Sequence, residues 1–177
     1  MPEKTPPQNI LTEKDFDALL KSINQVALVS MTDAKGDILY ANSKFVEVSK
    51  YPLAELLGQN HRILKSGHQS DELFVDLWHT ITSGLVWRGE IKNRAKDGSY
   101  YWVDTAIAPI LDASGKPERY ISIRFVISEK KQLEESVQSQ MHDLELVNQA
   151  MMGRELKMIK LKNRIKELEA KLEADQA

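Results

Sequence analysis

The stretch VWRGEIKNRAKDGSYYWVDTAIAPILDASGKPERYISIRFVIS, residues 86–128, alternates apolar and polar residues over three segments. A period of two is typical of β-strands that bury one face. The segments are separated by AKDGS, residues 95–99, and DASGK, residues 112–116, and both have the composition of tight hairpin turns. The stretch therefore predicts a three-stranded antiparallel meander.

Two further strands are predicted upstream, at VALVSMTD, residues 26–33, and ILYAN, residues 38–42, with a glycine turn between them. Short helical segments follow, and the clearest is SDELFVDLWHTITS, residues 70–83, whose apolar residues recur at helical spacing. Two strands, several short helices and a meander indicate an α+β fold on one five-stranded antiparallel sheet.

The ends of the chain differ from this middle part. Residues 1–10 hold three prolines and predict a flexible leader, and residues 11–24 predict a helix that Thr12 and Asp15 cap. Residues 25–128 would then form the central domain. From residue 129 to residue 177, glycine and proline nearly vanish and the composition predicts one long helix.

That helix carries an apolar seam with alternating spacings of four and three residues. Gln140 and Arg154 interrupt the seam, and the apolar members are Leu133, Val137, Leu144, Val147, Met151, Met158, Leu161, Ile165, Leu168 and Leu172. Such a repeat is typical of a coiled coil. We expect a homodimer through residues 133–172, and the alternative is a helix that folds back onto its own domain.

The strand alternation also predicts which side chains face inward. On the middle strand these are Tyr101, Val103, Thr105 and Ile107, and on the last strand Ile121, Ile123, Phe125 and Ile127. The first strand places Asn93 on its apolar face. A buried amide needs hydrogen-bond partners. It could bond neighbouring backbone, or it could be directed at a ligand.

Composition excludes several functional classes. The chain has no cysteine, so disulfides, thiol redox chemistry and cysteine zinc sites are excluded. A net charge of −2 argues against a general nucleic-acid binder. No apolar run is long enough to span a membrane and no secretory signal is visible, so we expect a cytoplasmic protein.

Catalytic and metal-binding patterns are not evident either. There is no serine nucleophile motif, phosphate-binding glycine loop or paired-acid pattern, so an enzyme is not expected. His61 and His68 lie seven residues apart without a carboxylate between them, which disfavours a metal site.

The stretch GEIKNRAKDGSYYWVDTAIAPILDASGKPERYISIRFVISEKKQLEE, residues 89–135, resembles a PAS domain, and the resemblance covers about residues 20–135. The segment GQNHRILK, residues 58–65, is similar to the GRNCRFLQ-like flavin-binding segment of the LOV photoreceptor branch. His61 occupies the position of the cysteine that bonds the excited flavin. Imidazole cannot form that adduct, so adduct-based blue-light signalling is excluded.

A second branch, the flavin-binding PAS domains of aerotaxis and nitrogen-fixation sensors, has a pocket Trp followed fifteen residues later by a pocket Asn. Trp78 and Asn93 have that spacing, and Asn42 also matches a pocket Asn of the aerotaxis type. The resemblance implies a bound flavin, FAD ahead of FMN. The candidate contacts are Asn42, Asn60, His61, Arg62, Leu64, Lys65, Trp78, Ile91, Asn93, Tyr101 and Ile107.

Within this set, Leu64, Trp78, Ile91 and Ile107 would form apolar walls, the three Asn residues would bind the polar edge of the ring, and Arg62 and Lys65 would meet phosphates. We therefore expect a redox or oxygen sensor that signals through the coiled coil to an output protein or effector domain, as in two-component regulation. The alternatives are a ligand-free PAS dimerisation module and a PAS sensor of heme or another small molecule.

Overall fold

A computed structural model describes the backbone of residues 12–175 and the side chains of residues 12–168. The predicted leader, residues 1–10, lies outside the described residues. The strands are β1 Leu28–Asp33, β2 Ile38–Ala41, β3 Trp87–Arg94, β4 Tyr100–Leu111 and β5 Pro117–Val126. The helices are α1 Glu13–Val26, α2 Ser43–Ser49, α3 Leu53–Leu56, a 3₁₀ helix His61–Leu64, α4 Asp71–Thr82 and α5 Ser128–Asp175.

The five strands form one antiparallel sheet in the order β2-β1-β5-β4-β3. This confirms the predicted α+β fold with a five-stranded antiparallel sheet, short helices and a long C-terminal helix. The predicted meander is formed by β3, β4 and β5. The last strand along the chain lies in the centre of the sheet, because β5 pairs with β4 on one side and with β1 on the other.

The core lies on the face of the sheet that the short helices cover. It joins Leu28 and Val103 of the sheet to Phe45 of α2, Leu56 of α3 and Leu64 of the 3₁₀ helix, and each of these side chains is at most 1% exposed. Burying a side chain of this size stabilises the fold by roughly 1.5–3 kcal/mol. The inward residues predicted for β4, from Tyr101 to Ile107, are confirmed.

The inward residues predicted for β5 are wrong. Tyr120, Ser122 and Arg124 face the core, whereas Ile121 and Ile123 point to the opposite face and Phe125 is exposed. Directly paired residues on neighbouring strands share a face of the sheet. Because Arg124 pairs with the buried residues Leu28 of β1 and Thr105 of β4, its side chain must point inward despite its charge.

The two terminal helices follow local signals. The capping box between Thr12 and Asp15 is present, and α1 continues to Val26. By its contacts the chain divides into two units, residues 1–128 and 129–177, and α5 runs unbroken through Gly153. The seam residues of α5 with described side chains are between 46% and 67% exposed where they are apolar. Among the described residues, no helix is long and apolar enough to cross a membrane.

Asn42 is used by the fold itself. Its side-chain oxygen accepts hydrogen bonds from the backbone N–H groups of Val29 and Phe45, at 3.0 and 2.9 Å. Its amide nitrogen donates to the side-chain oxygen of Asn24 and to the carbonyl of Ala27, both at 2.9 Å. The structure thus places this predicted cofactor contact at the N-cap of α2, where it ties α1, β1 and α2 together.

Replacing Asn42 with alanine should lower the free energy of unfolding by about 2–4 kcal/mol. The variant loses a helix cap, worth about 1 kcal/mol, and leaves buried backbone groups without partners at about 1–3 kcal/mol. Urea denaturation followed by tryptophan fluorescence measures this, since Trp78, Trp87 and Trp102 all lie in the sheet domain. Asn148→Ala on exposed α5 is the control, and we expect it to stay within about 0.5 kcal/mol of wild type.

Candidate functional site

A cavity of about 300 Å³ lies between the inner face of the sheet, helix α4 and the loop around the 3₁₀ helix. Its apolar wall is built from both sides. Helix α4 provides one side and the strands provide the other, and the residues are Phe74, Leu77, Trp78, Ile81, Ile91 and Ile107. This volume is at the lower end of the usual range for small-molecule pockets.

A polar cluster interrupts this apolar wall. Arg124 is 4% exposed, and its guanidinium group donates to the hydroxyl of Ser30 and to Nε2 of His61, both at 3.0 Å. The nearby hydroxyl of Ser122 is buried and has no hydrogen-bond partner among the described residues. Polar groups in a core are usually all paired, so an unpaired hydroxyl on a cavity wall suggests a ligand.

His61 is held in its neutral form by this cluster. Burial, and then the positive charge of Arg124, hold the pKa of His61 well below its ordinary value of 6.5. Because an arginine only donates, Nε2 must accept the bond and the ring proton must sit on Nδ1. The ring also packs edge-on against Phe45, with 5.7 Å between the ring centroids.

The loop before His61 is fixed by Asn60. The amide nitrogen of Asn60 donates to the carbonyl of Lys35 at 3.0 Å and to the carboxylate of Asp37 at 2.8 Å, and its oxygen accepts from Nε of Arg62 at 2.7 Å. The backbone N–H of His61 adds a bond to the carbonyl of Gly36. Asn60 therefore positions the loop while it lines the cavity.

Trp78 forms the aromatic part of the wall. Its ring lies edge-on to Tyr120, with centroids 5.9 Å apart, and close to Gly36 in the turn between β1 and β2. Gly36 has φ +88°, and a Cβ added there would lie 3.2 Å from the Trp78 ring. Glycine is therefore favoured at this position, mainly for the backbone conformation and also for the close approach of the ring.

Asn93 and Tyr101 face each other on β3 and β4. They are paired in register, and both are buried. Burial raises the pKa of the Tyr101 hydroxyl to about 12, against the opposing effect of Arg124. This hydroxyl has no hydrogen-bond partner among the described residues. The backbone of Asn93 also bridges to Lys65, so that the loop after the 3₁₀ helix closes onto β3.

The cavity is electrically one-sided. Its lining contains Arg62, Lys65 and Arg124, and no acidic residue belongs to the lining within the described part of the chain. Lys92 also belongs to the lining, but its ammonium group lies on the outer face of the sheet, over the rings of Tyr100 and Trp102. Lys65 forms an exposed ion pair with Asp71 at 3.0 Å, and its ammonium group lies 4.6 Å from the centre of the Phe74 ring. Such an arrangement favours a ligand that carries negative charge.

The structure brings most of the predicted contacts together. The cavity lining includes Asn60, His61, Arg62, Lys65, Trp78, Ile91, Asn93 and Ile107. Three predicted residues are not part of the lining, because Asn42 caps α2, Leu64 is 1% exposed in the core and Tyr101 lies beside Asn93. Sequence analysis missed Ser30, Ser122 and Arg124. The alternation in YISIR, residues 120–124, places Ser122 and Arg124 on one face of the strand.

The chain matches the family described as PAS fold over residues 38–124. It is 35% identical to the nitrogen fixation regulatory protein of Klebsiella pneumoniae over 77% of this chain and 28% of that protein. It is 40% identical to the aerotaxis receptor of Escherichia coli K12 over 57% of this chain and 20% of the receptor. The chain thus spans less than a third of the length of these relatives.

The fold is also similar to a solved RNA-binding light-oxygen-voltage receptor. The TM-score is 0.64, the sequence identity is 19%, and the match covers 78% of this chain and 41% of the receptor chain. At this identity the likeness concerns the fold alone. The structural match covers 78% of this chain, whereas the family match covers residues 38–124.

The low pKa of His61 predicts an acid-sensitive fold. As the pH is lowered below 6.5, the unfolded chain takes up a proton at His61 and the folded protein does not. The free energy of unfolding should therefore decrease by up to about 1.4 kcal/mol for each pH unit by which the pH is lowered. His61→Gln keeps an acceptor for Arg124 and should remove this component. Urea denaturation between pH 7 and pH 5 measures the difference.

His142→Gln on α5 is the matched control, since His142 is exposed. It should retain the full pH dependence of wild type. If His61→Gln kept the same dependence as wild type and as this control, His61 would not be the group that binds the proton.

Proposed function

Residues 38–124 of this chain are a PAS domain, and on that premise we propose that the domain is a sensor that binds a flavin in its cavity and passes the redox state of the flavin to an output protein. The observation that carries the proposal is the mixed character of the cavity. Apolar walls from α4 and β3 enclose a polar patch on β1 and β5 that contains the unpaired hydroxyl of Ser122.

A flavin ring fits these residues. Trp78, Ile91 and Ile107 are available for the two faces of a flat ring, and Asn93 and Ser122 are available for its polar edge. When bound, the flavin would supply electron transfer, and the protein would bind and orient it and exclude water. Since the cavity is at the small end of the usual range, the ring would occupy it and the phosphate-bearing tail would extend outward.

The basic residues at the cavity support this arrangement. Arg62 and Lys65 are exposed and belong to the lining. Cations of this kind meet phosphate oxygens in many proteins. We favour FAD over FMN, in line with the sensor branch that the Trp78 and Asn93 spacing resembles.

The names of the relatives agree with a sensory role. One is a nitrogen fixation regulatory protein and another an aerotaxis receptor. Each is longer than this chain, so their activities and partners are transferred here only as part of the proposal.

A route for the signal runs along β4. An Asn amide carries both a donor and an acceptor, so Asn93 can rotate to match a ring atom that changes from acceptor to donor on reduction. Asn93 is paired with Tyr101, and the next residue, Trp102, donates its backbone N–H to the hydroxyl of Ser128 at 2.9 Å. Since Ser128 is the first residue of α5, a shift of β4 reaches the start of that helix.

An absorbance spectrum of protein purified without added ligand tests the proposal. We expect the two flavin bands in the near ultraviolet and the blue, and we expect dithionite to bleach them. A Soret band would show that the bound cofactor is heme and would reject the flavin. A featureless spectrum that incubation with FAD or FMN leaves unchanged would reject the flavin and favour a ligand-free dimerisation module.

Asn93→Ala tests the signalling step in the same preparation. The variant should bind flavin more weakly and should lose the change in hydrogen exchange at the start of α5 that reduction causes in wild type. Asn163→Ala, on exposed α5, should behave as wild type. Full flavin content together with a normal redox response in Asn93→Ala would contradict this route.

The partner of α5 in this proposal is a second copy of the chain. The seam residues are apolar and exposed within one chain, and a repeat of alternating four and three residues matches an identical helix in a two-stranded coiled coil. The helix is described as a continuous element from Ser128 to Asp175, which provides enough turns for a stable pair.

Replacing two seam residues should separate the dimer. Leu144→Lys with Met151→Lys places charges in the seam, and we expect sedimentation as a monomer. The matched control is Leu146→Lys with Met152→Lys, which changes the same residue types on the outer side of the helix, where both are exposed. It should remain a dimer, and equal behaviour of the two double variants would exclude the seam as the interface.

A further inference from the structure

Arg124 is a buried cation without a carboxylate partner. It is 4% exposed, and no Asp or Glu among the described residues forms an ion pair with it. Burial lowers its pKa to about 10, so that the guanidinium remains charged at neutral pH. Burying an unpaired charge is costly, and proteins normally pair such a group or bind a counter-ion with it.

The groups that hold Arg124 do not neutralise it. The hydroxyl of Ser30 and Nε2 of His61 accept two of its five N–H donors, and both are uncharged. The ring of Phe45, 5.8 Å from the guanidinium carbon, adds a weak cation–π attraction. These contacts fix the orientation of the guanidinium group and leave its full positive charge at the cavity wall.

The surroundings make this charge available to a ligand. Arg124 belongs to the cavity lining together with Ser122, whose hydroxyl is buried and unpaired. The pairing of the central strand with β1 and β4 holds the side chain on the inner face. A fixed cation in a cavity with mostly apolar walls interacts strongly with charge that appears beside it, because the local dielectric constant is low.

We propose that Arg124 sets the reduction potential of the bound flavin by favouring its reduced, negatively charged form over its neutral, oxidised form. His61 and Ser30 act as positioning residues for the guanidinium. The inference rests on the proposed function. For charge balance, the ring takes two electrons from an external electron donor and one proton from water, and its net charge changes by −1.

This inference explains why a costly residue is kept inside the domain. A purely structural residue would be expected to stabilise the protein without ligand. Arg124 should instead reduce the stability of the ligand-free protein and favour the reduced ligand. The two effects can be separated by one substitution, because a neutral amide can still donate to His61 or Ser30 while it removes the charge.

The test is Arg124→Gln, compared with wild type and with Arg119→Gln. Arg119 lies on the same strand, is exposed and pairs with Glu118 at 3.4 Å, so its loss should not affect the cavity. Three quantities are measured: the affinity for oxidised flavin, the midpoint potential of the bound flavin in a dye-coupled titration, and the melting temperature of the ligand-free protein.

In Arg124→Gln we expect the preference for reduced over oxidised flavin to fall at least tenfold, which for a two-electron couple is a shift of about 30 mV to a more negative potential. The ligand-free variant should melt at or above the temperature of wild type. Arg119→Gln should match wild type in all three measurements. An unchanged midpoint potential in Arg124→Gln, with flavin bound to wild type, would overturn the inference and leave the proposed function intact.

Arg124→Lys keeps the inference testable if the glutamine variant does not fold. A lysine keeps the charge, so the potential should stay near that of wild type even if binding weakens. A loss of the preference as large as tenfold in the lysine variant would show that the charge is not the cause. Wild-type protein that binds no flavin would overturn the proposed function, and this inference with it.

Discussion

Strand β5 is bonded on both sides, to β1 and to β4, and the rest of the molecule depends on that central position. Double pairing dictates which residues of β5 face inward, and it therefore places a charged and a hydroxyl side chain inside an otherwise apolar domain. The same strand leads within two residues to the start of α5. Strand β5 thus joins the polar cluster of the cavity to the start of α5, beside the route along β4 that we propose for the signal.

The polar cluster on β1 and β5 costs the domain stability, and in our proposal the bound ligand offsets that cost. A core filled with the isoleucines of β5 would have been more stable than one that holds Arg124 and an unpaired Ser122 hydroxyl. Proteins tolerate such costs at sites where a ligand completes the pairing. The neutral form of His61 limits this cost, because a second positive charge beside Arg124 would destabilise the folded domain further.

Some candidate residues were predictable and others were not, for identifiable reasons. Trp78 and Asn93 were found because their spacing resembles a known pocket, and both belong to the cavity lining. Asn42 was assigned to the pocket by the same resemblance, yet its four hydrogen bonds hold α1, β1 and α2 together. A resemblance identifies an amide in the right region but not which groups it will bond.

The sequence by itself determined the local structure: the strands and their turns, the capping box of α1, the span of α4 and the apolar seam of α5. These features depend on residues that are close along the chain, and their periodicity is visible without a fold. The tertiary structure decided the inward face of β5. In ISIR, residues 121–124, the two isoleucines face one side of the strand and Ser122 and Arg124 face the other, and only pairing with β1 and β4 selects which side is buried. It also decided the contact between His61 and Arg124, which lie 63 residues apart, because no local pattern encodes a meeting that depends on the packing of the whole sheet.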